Sequence, residues 1–350
     1  PVNINYLVGS RVKAYQTLQV LFFTTEPGPL TLLTRFADAY EAAELSLASK
    51  VRGWGSVIPE DPMIKVKAIL EENGYLERRG GLEVPDFYLS AHNYMKFKEI
   101  LGDSLVMEAT RLIEELKFVK SPAELAYIRK AAGINDAGMK TCVGSLVQGK
   151  TEFEVAADIH RTLMALGSDA PASPMNFVSG ERTTFAHGLP TERRLRRGDL
   201  VHLEYGSSYR RYISTIGRVL SLDQPTERVR DVYQVVRDAS DAAIAAIKPG
   251  VLVTAPHEAA KRVIDDAGMA DYRWHTTGYG LAPAFPPAWA ESLNMDGSCD
   301  YVMEPGMVVS IEPPVFIPEE RIGARVIDNV LVTEGGAEIL SQFTRDLIVV

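Results

Sequence analysis

Apolar and polar positions divide the chain into two stretches with different rhythms. Up to about residue 115, short apolar runs alternate with helical periodicities. Thr17–Phe23 and Leu30–Leu33 read as strands separated by the turn Glu26-Pro27-Gly28-Pro29. Residues 36–48 read as a helix, and Met63–Asn73 as another stopped by Gly74. This alternation predicts a small α/β domain. No glycine-rich phosphate loop follows its strands, so a nucleotide role has no support.

The second stretch opens at Lys117-Phe118-Val119-Lys120-Ser121-Pro122-Ala123-Glu124. Ser121 suits a helix N-cap, Pro122 the first helical position and Glu124 the third, which together form a capping box. The domain junction is expected here, giving domains 1–118 and 119–350. Leu125, Ile128 and Ala132 line one face of that helix. A second box, Thr151 with Glu154, opens a helix bearing Ala156, Ile159, Leu163 and Leu166, stopped at Gly167. Strands follow at Asp199–Gly206 and Tyr209–Leu222. In the first, Val201, Leu203 and Tyr205 share one face, and His202 and Glu204 the other. Thr226 opens a long helix with apolar residues from Val229 to Ile247, Thr254 opens another ending near Gly268, and strands at 307–316 and 325–333 close the chain. The order helix, helix, strands occurs twice. Two such halves predict a sheet with helices on its outer side.

The closing strand bears the most informative residue. Pro305-Gly306 turns into an apolar run that carries one carboxylate, Glu312, before Pro313-Pro314. An ionised carboxylate inside a buried strand is costly unless paired or bound to a cation. Its plain alternative is a solvated or arginine-paired strand end. Glu204 is a second carboxylate on an apolar strand; its alternative is a solvent-facing position. His187, in Phe185-Ala186-His187-Gly188-Leu189-Pro190, reads as a turn histidine or as a general acid/base, since imidazole titrates near neutrality. The glycine-bracketed His275-Thr276-Thr277-Gly278-Tyr279-Gly280-Leu281 continues into Phe285-Pro286-Pro287-Ala288-Trp289, an expected aromatic pocket wall.

Composition narrows the class. The content is 46% hydrophobic and 24% charged, with net charge −9 and pI about 5.3. Scattered Lys and Arg on an acidic chain exclude nucleic acid and anionic membrane surfaces as expected partners. No apolar run approaches the roughly 18 residues of a membrane helix, and no signal-peptide pattern is present. A cytoplasmic location is the expectation. The chain starts mid-pattern at Pro1-Val2-Asn3-Ile4-Asn5-Tyr6-Leu7, as expected if its natural N-terminus lies upstream. Cys142 and Cys299 lie in no metal-spacing motif and read as buried free thiols.

Taken in order, the Lys-Ser-Pro-x-Glu helix start, the His-Gly-x-Pro turn, Gly198-Asp199-Leu200-Val201, Pro305-Gly306-Met307, Ile311-Glu312-Pro313 and Asp328-Asn329-Val330-Leu331-Val332-Thr333-Glu334 resemble the "pita-bread" superfamily of creatinase, prolidase and methionine aminopeptidase. The match is dense in the second stretch and loose in the first. The fold it implies is α/β (α+β): a small N-terminal α/β domain and a pita-bread domain of two pseudo-duplicated halves. The superfamily's metallopeptidases hold two metal ions through two Asp, one His and two Glu. Those positions fall here on Glu204, Thr215, Tyr279, Glu312 and Ile327, so two of five remain. This implies no metal and no other cofactor.

Metal-independent members of the superfamily include creatinase and ectoine hydrolase, and Leu203-Glu204-Tyr205-Gly206 with Gly278-Tyr279-Gly280-Leu281 is closer to the latter. The resemblance therefore implies metal-independent hydrolysis of a non-peptide C–N bond in a small amidine-like compound, with ectoine as first candidate. His187 would shuttle the proton, and Glu204 and Glu312 would hold a cationic or zwitterionic small molecule. Tyr279, Phe185, Tyr212, Arg325 and Trp289 are its substrate-binding candidates, with Arg11 and Tyr15 as candidates from the first domain. A homodimer is implied as well. The alternatives are an Xaa-Pro dipeptidase or aminopeptidase with a residual metal site, and an inactive relative that binds a ligand or partner.

Overall fold

Both capping boxes form. Ser121 Oγ accepts from Glu124 N (3.4 Å) while the Glu124 carboxylate accepts from Ser121 N (2.8 Å), and Thr151 and Glu154 make the same exchange at 3.1 and 2.7 Å. The computed structural model describes residues 1–13 and 16–350, and the chain divides into two units, Pro1–Lys117 and Phe118–Val350.

In the first unit the elements run α1 Val2–Val8, β1 Val20–Phe22, β2 Thr31–Arg35, α2 Phe36–Leu45, β3 Lys50–Trp54, α3 Pro62–Glu72, β4 Gly80–Leu82, α4 Ala91–Leu101, β5 Leu105–Glu108 and α5 Thr110–Phe118, whose last residue belongs to the second unit. Strands β1, β2 and β3 form one small sheet and β4 pairs with β5. The expected Thr17–Phe23 strand shrinks to three residues, because only Val20–Phe22 finds partners on β2.

The second unit contains α6 Pro122–Ser145, α7 Glu152–Ala165, β6 Asn176–Ser179, β7 Leu200–Tyr209, β8 Tyr212–Ser221, α8 Glu227–Ala246, α9 Thr254–Asp266, β9 Gly278–Phe285, β10 Ala288–Ala290, β11 Val308–Ile311, β12 Pro314–Ile317, β13 Ile322–Arg325, β14 Asp328–Thr333, β15 Gly336–Ile339 and β16 Ile348–Val349. One sheet runs in the order β15-β14-β11-β9-β8-β7-β6, with β10 on β9 and β16 on β8. The two helix-helix-strand halves meet in it where β8 pairs with β9 and where Gly217 bridges Ile327. The architecture is mixed α/β, as expected.

Two boundaries differ from expectation. The strand drawn as Tyr209–Leu222 begins after a tight turn at Arg210 and Arg211, both with positive φ (51° and 70°). Such a turn ordinarily carries Asn or Gly, so two arginines concealed it. The closing run 307–316 is two strands, since Pro313 and Pro314 lack the N–H a continuous ladder needs. Strand β11 pairs with β9 and β14, while β12 pairs with β13. Glu312 therefore sits at a junction between two pairings, and residues 322–333 split likewise into β13 and β14.

Strand alternation is as expected, but neither face meets solvent. Val201, Leu203 and Tyr205 pack in a core with Ile159, Leu163 and Phe177 from α7 and β6. Burial of each such aliphatic or aromatic side chain contributes about 1.5–3 kcal/mol. His202 and Glu204 point the other way and are equally enclosed. Cys142 is buried, its thiol pushed up to about 12 by desolvation, and Cys299 is half-buried; both are free. Among the described residues, no helix is long and apolar enough to cross a membrane.

Candidate functional site

Register brings the site together. Across β6 and β7, Asn176 stands opposite Glu204 and donates to its Oε2 at 2.8 Å. Arg325, at the end of β13, donates from the same Nη2 to Glu204 Oε2 and to Ala186 O (3.0 Å), beside His187. Across β9 and β11, Tyr279 stands opposite Ser310. Both hydroxyls donate to Glu312 Oε2, at 3.2 and 3.1 Å, and Trp289 Nε1 donates to the Tyr279 hydroxyl at 2.8 Å. Glu312 N is held by Thr277 O at 2.7 Å. Glu204, Glu312, Arg325, Tyr279 and Trp289 are all buried, which removes the solvent-facing readings of the two glutamates.

His187 is exposed, and its ring lies 5.2 Å from that of His275, edge to face. His275 was missed as a site residue. Its Nδ1 lies 3.1 Å from Thr276 O and 3.4 Å from Glu312 Oε1, making it the link between the buried glutamate and the exposed histidine. The only sequence signal was its place at the head of the glycine-bracketed segment. Phe185, half-exposed on the His187 loop, lies under the Arg182 guanidinium (5.7 Å). Tyr212 packs against the apolar cluster that holds Tyr279 and Trp289, while its hydroxyl donates to Glu124 at the start of α6 (2.8 Å). Arg11 is exposed in the first unit, and Tyr15 lies outside the described residues.

Burial dominates the electrostatics. It raises the Glu312 carboxyl well above the ordinary carboxylate range, partly offset by Arg325 and reinforced by Glu204. Burial, with Arg325, pushes His275 down to about 4 and lowers His187, so both imidazoles are neutral at pH 7. His202, fully enclosed beside them, is lowered further. Desolvation opposes the Arg325 charge, but Glu204 and Glu312 outweigh it and raise its pKa. The arrangement joins an exposed imidazole, a buried carboxyl whose proton affinity is raised and a fixed guanidinium.

Residues 126–334 match Metallopeptidase family M24. The chain belongs to this family. A probable dipeptidase PepE of Mycobacterium bovis is 33% identical across 99% of this chain and 89% of its own length. An Xaa-Pro dipeptidase of Pyrococcus furiosus is 31% identical across 82% of this chain and 81% of its own. The crystal structure of dipeptidase PepE from Mycobacterium ulcerans superposes with a TM-score of 0.86 at 30% identity, covering all of this chain and 91% of the other.

These relatives correct two expectations. Proteins similar over 82% and 99% of the chain are named dipeptidases, which overturns the reading as a metal-independent, ectoine-hydrolase-like enzyme. The family is one of metallopeptidases, which overturns the expectation of no cofactor. The side chains at the five family ligand positions nevertheless do not fit a pair of metal ions as they stand. Glu204 is ion-paired to Arg325. Asn329 receives Thr215 N (2.6 Å) and donates to Thr215 Oγ1 (2.8 Å). Tyr279 is bound between Glu312 and Trp289. Ile327 has no donor atom. Among the described residues, no three His, Cys, Asp or Glu side chains are grouped as metal ligands.

Proposed function

We propose that this family hydrolase acts on a small zwitterionic dipeptide of the Xaa-Pro type. The observation that carries the reading is likeness to dipeptidases along nearly the whole chain, 33% identity over 99% of it. The site supports it. The exposed neutral imidazole of His187 can take a proton from an attacking water and return it to the leaving nitrogen. The Arg325 hydrogen bond to Ala186 O anchors the backbone next to that histidine. Ser310 and Tyr279, the latter held by Trp289, fix the orientation of Glu312, which meets His275 and through it the His187 ring.

The test is release of proline from a panel of Xaa-Pro dipeptides, with the protein as purified, with chelator, and with added Mn²⁺, Co²⁺ or Zn²⁺. Turnover of at least one dipeptide is expected, with His187→Ala lowering kcat by about 10²–10⁴-fold. Absence of proline release under every metal condition would overturn the reading.

A further inference from the structure

The His187 loop is held by a side chain that the site itself does not use. Glu152, the first residue of α7, is fully buried, and both its carboxylate oxygens are engaged. Oε1 accepts from Ser179 Oγ at 2.6 Å. Oε2 accepts from Thr191 N at 2.9 Å, from Thr191 Oγ1 at 2.8 Å and from Arg182 Nη1. Ser179 ends β6 just before the loop, and Thr191 lies four residues beyond His187. One carboxylate thus ties the loop's two ends together, 27 and 39 residues away in sequence.

The loop between these ends is braced rather than slack. Arg182 donates through Nη2 to Leu189 O (2.8 Å), spanning the turn from one arm to the other. Gly188 O accepts from Phe177 N (2.9 Å), pinning the residue after His187 to β6. A Cβ on Gly188 would lie 2.3 Å from Val178 Cγ1, so the apex is packed directly on a β6 side chain. The main chain of α7 adds Glu152 N to Arg193 O (3.0 Å) and Phe153 N to Thr191 O (3.1 Å). A buried carboxylate with four donors, one of them a guanidinium, is strongly directional. It is also costly to disturb, because its removal strands Arg182 and Thr191.

We infer that Glu152 is a positioning residue for the reaction: it fixes the 180–191 loop, and through it the location of the His187 imidazole, without touching substrate. The inference rests on the reading of His187 as a group that meets substrate. A misplacement of about 1 Å in a reacting group can cost about 10²-fold in rate, so the clamp acts on kcat rather than on affinity.

The experiment uses the full chain and compares Glu152→Ala, Glu152→Gln and Arg182→Lys. In Glu152→Ala, amide hydrogen exchange at Phe177, Phe185 and Gly188 is expected to speed up about ten-fold or more relative to the α8 amides. Dipeptide kcat should fall about 10²-fold while KM moves less than about three-fold. Glu152→Gln keeps an acceptor for Thr191 and should recover much of both losses. Arg182→Lys, which cuts the brace from the loop side, carries the test if Glu152→Ala fails to fold. Unchanged exchange at those three amides, or faster exchange with kcat unchanged, would overturn the inference. Should the wild type release no proline at all, the function reading fails by itself. The clamp is then judged by the His187 imidazole resonance, identified by its loss in His187→Ala: a shift in the Glu152 variants supports it, and an unmoved resonance rejects it.

Discussion

Gly217 and Ile327 are packed tightly where the resemblance to the family places one of the metal-ligand positions. The two exchange backbone hydrogen bonds at 3.2 and 3.0 Å. A Cβ on Gly217 would lie 2.5 Å from Ile327 Cγ1 and 2.6 Å from its Cδ1, so the isoleucine fills the space over the glycine. Gly217→Ala should therefore destabilise the protein by about 1–3 kcal/mol through overpacking. Ile327→Ala should cost about 2–5 kcal/mol through the cavity it leaves. Because each change relieves the other, the double variant should fall short of the sum by more than about 0.5 kcal/mol. Urea unfolding of the four proteins measures this, and strict additivity would show that the two side chains do not share the space. Thr215 is engaged just as closely, its hydroxyl and N–H both meeting Asn329.

At the level of elements, what could be read from sequence was what depends on neighbours in sequence. The capping boxes of α6 and α7 involve residues three apart, and both form with the expected partners. Thr151→Ala should remove the α7 cap at a cost of about 1 kcal/mol, while Thr151→Ser should be close to neutral; thermal melts of the two variants separate a capping role from a packing one. The break at Pro313-Pro314 was also local, yet the apolar run around it read as one strand. The Arg210-Arg211 turn was hidden because arginine is not a turn residue, and its positive φ values are imposed by the pairing of β7 with β8. Glu312 and His187 stood out in sequence because a carboxylate in an apolar strand and a histidine in a turn are conspicuous. Their connector was not legible: His275 meets Glu312 only through the pairing of β9 with β11. Glu152 was invisible for the same reason, since its partners come from β6 and from the far end of the loop. The ion pair of Glu204 with Arg325 spans 121 residues, and alternation along β7 gave the direction of Glu204 but not its partner.

Over the whole molecule, the net charge of −9 makes carboxylates the main carriers of acid sensitivity. Two of them are held well below the ordinary carboxylate range by cationic partners. Lys150, then Ser145 and Arg161, hold Asp158 down to about 2, and Arg193 holds Glu181 down to about 2. A carboxyl with a depressed folded-state pKa binds fewer protons folded than unfolded at intermediate pH. Its contribution to stability is therefore complete above the unfolded value and is lost as pH falls through the folded one. For Asp158 that window runs from 3.8 down to about 2. Lys150 is partly exposed and Arg161 largely so, and salt should therefore weaken the contribution. Asp158→Asn should thus lower the urea midpoint at pH 7, and the gap to the wild type should close progressively below about pH 4. It should also be smaller at 1 M than at 0.1 M salt. A gap that persists unchanged at pH 2 would assign the loss to the Ser145 contact and the packing of α6 against α7, and would remove charge pairing as its cause.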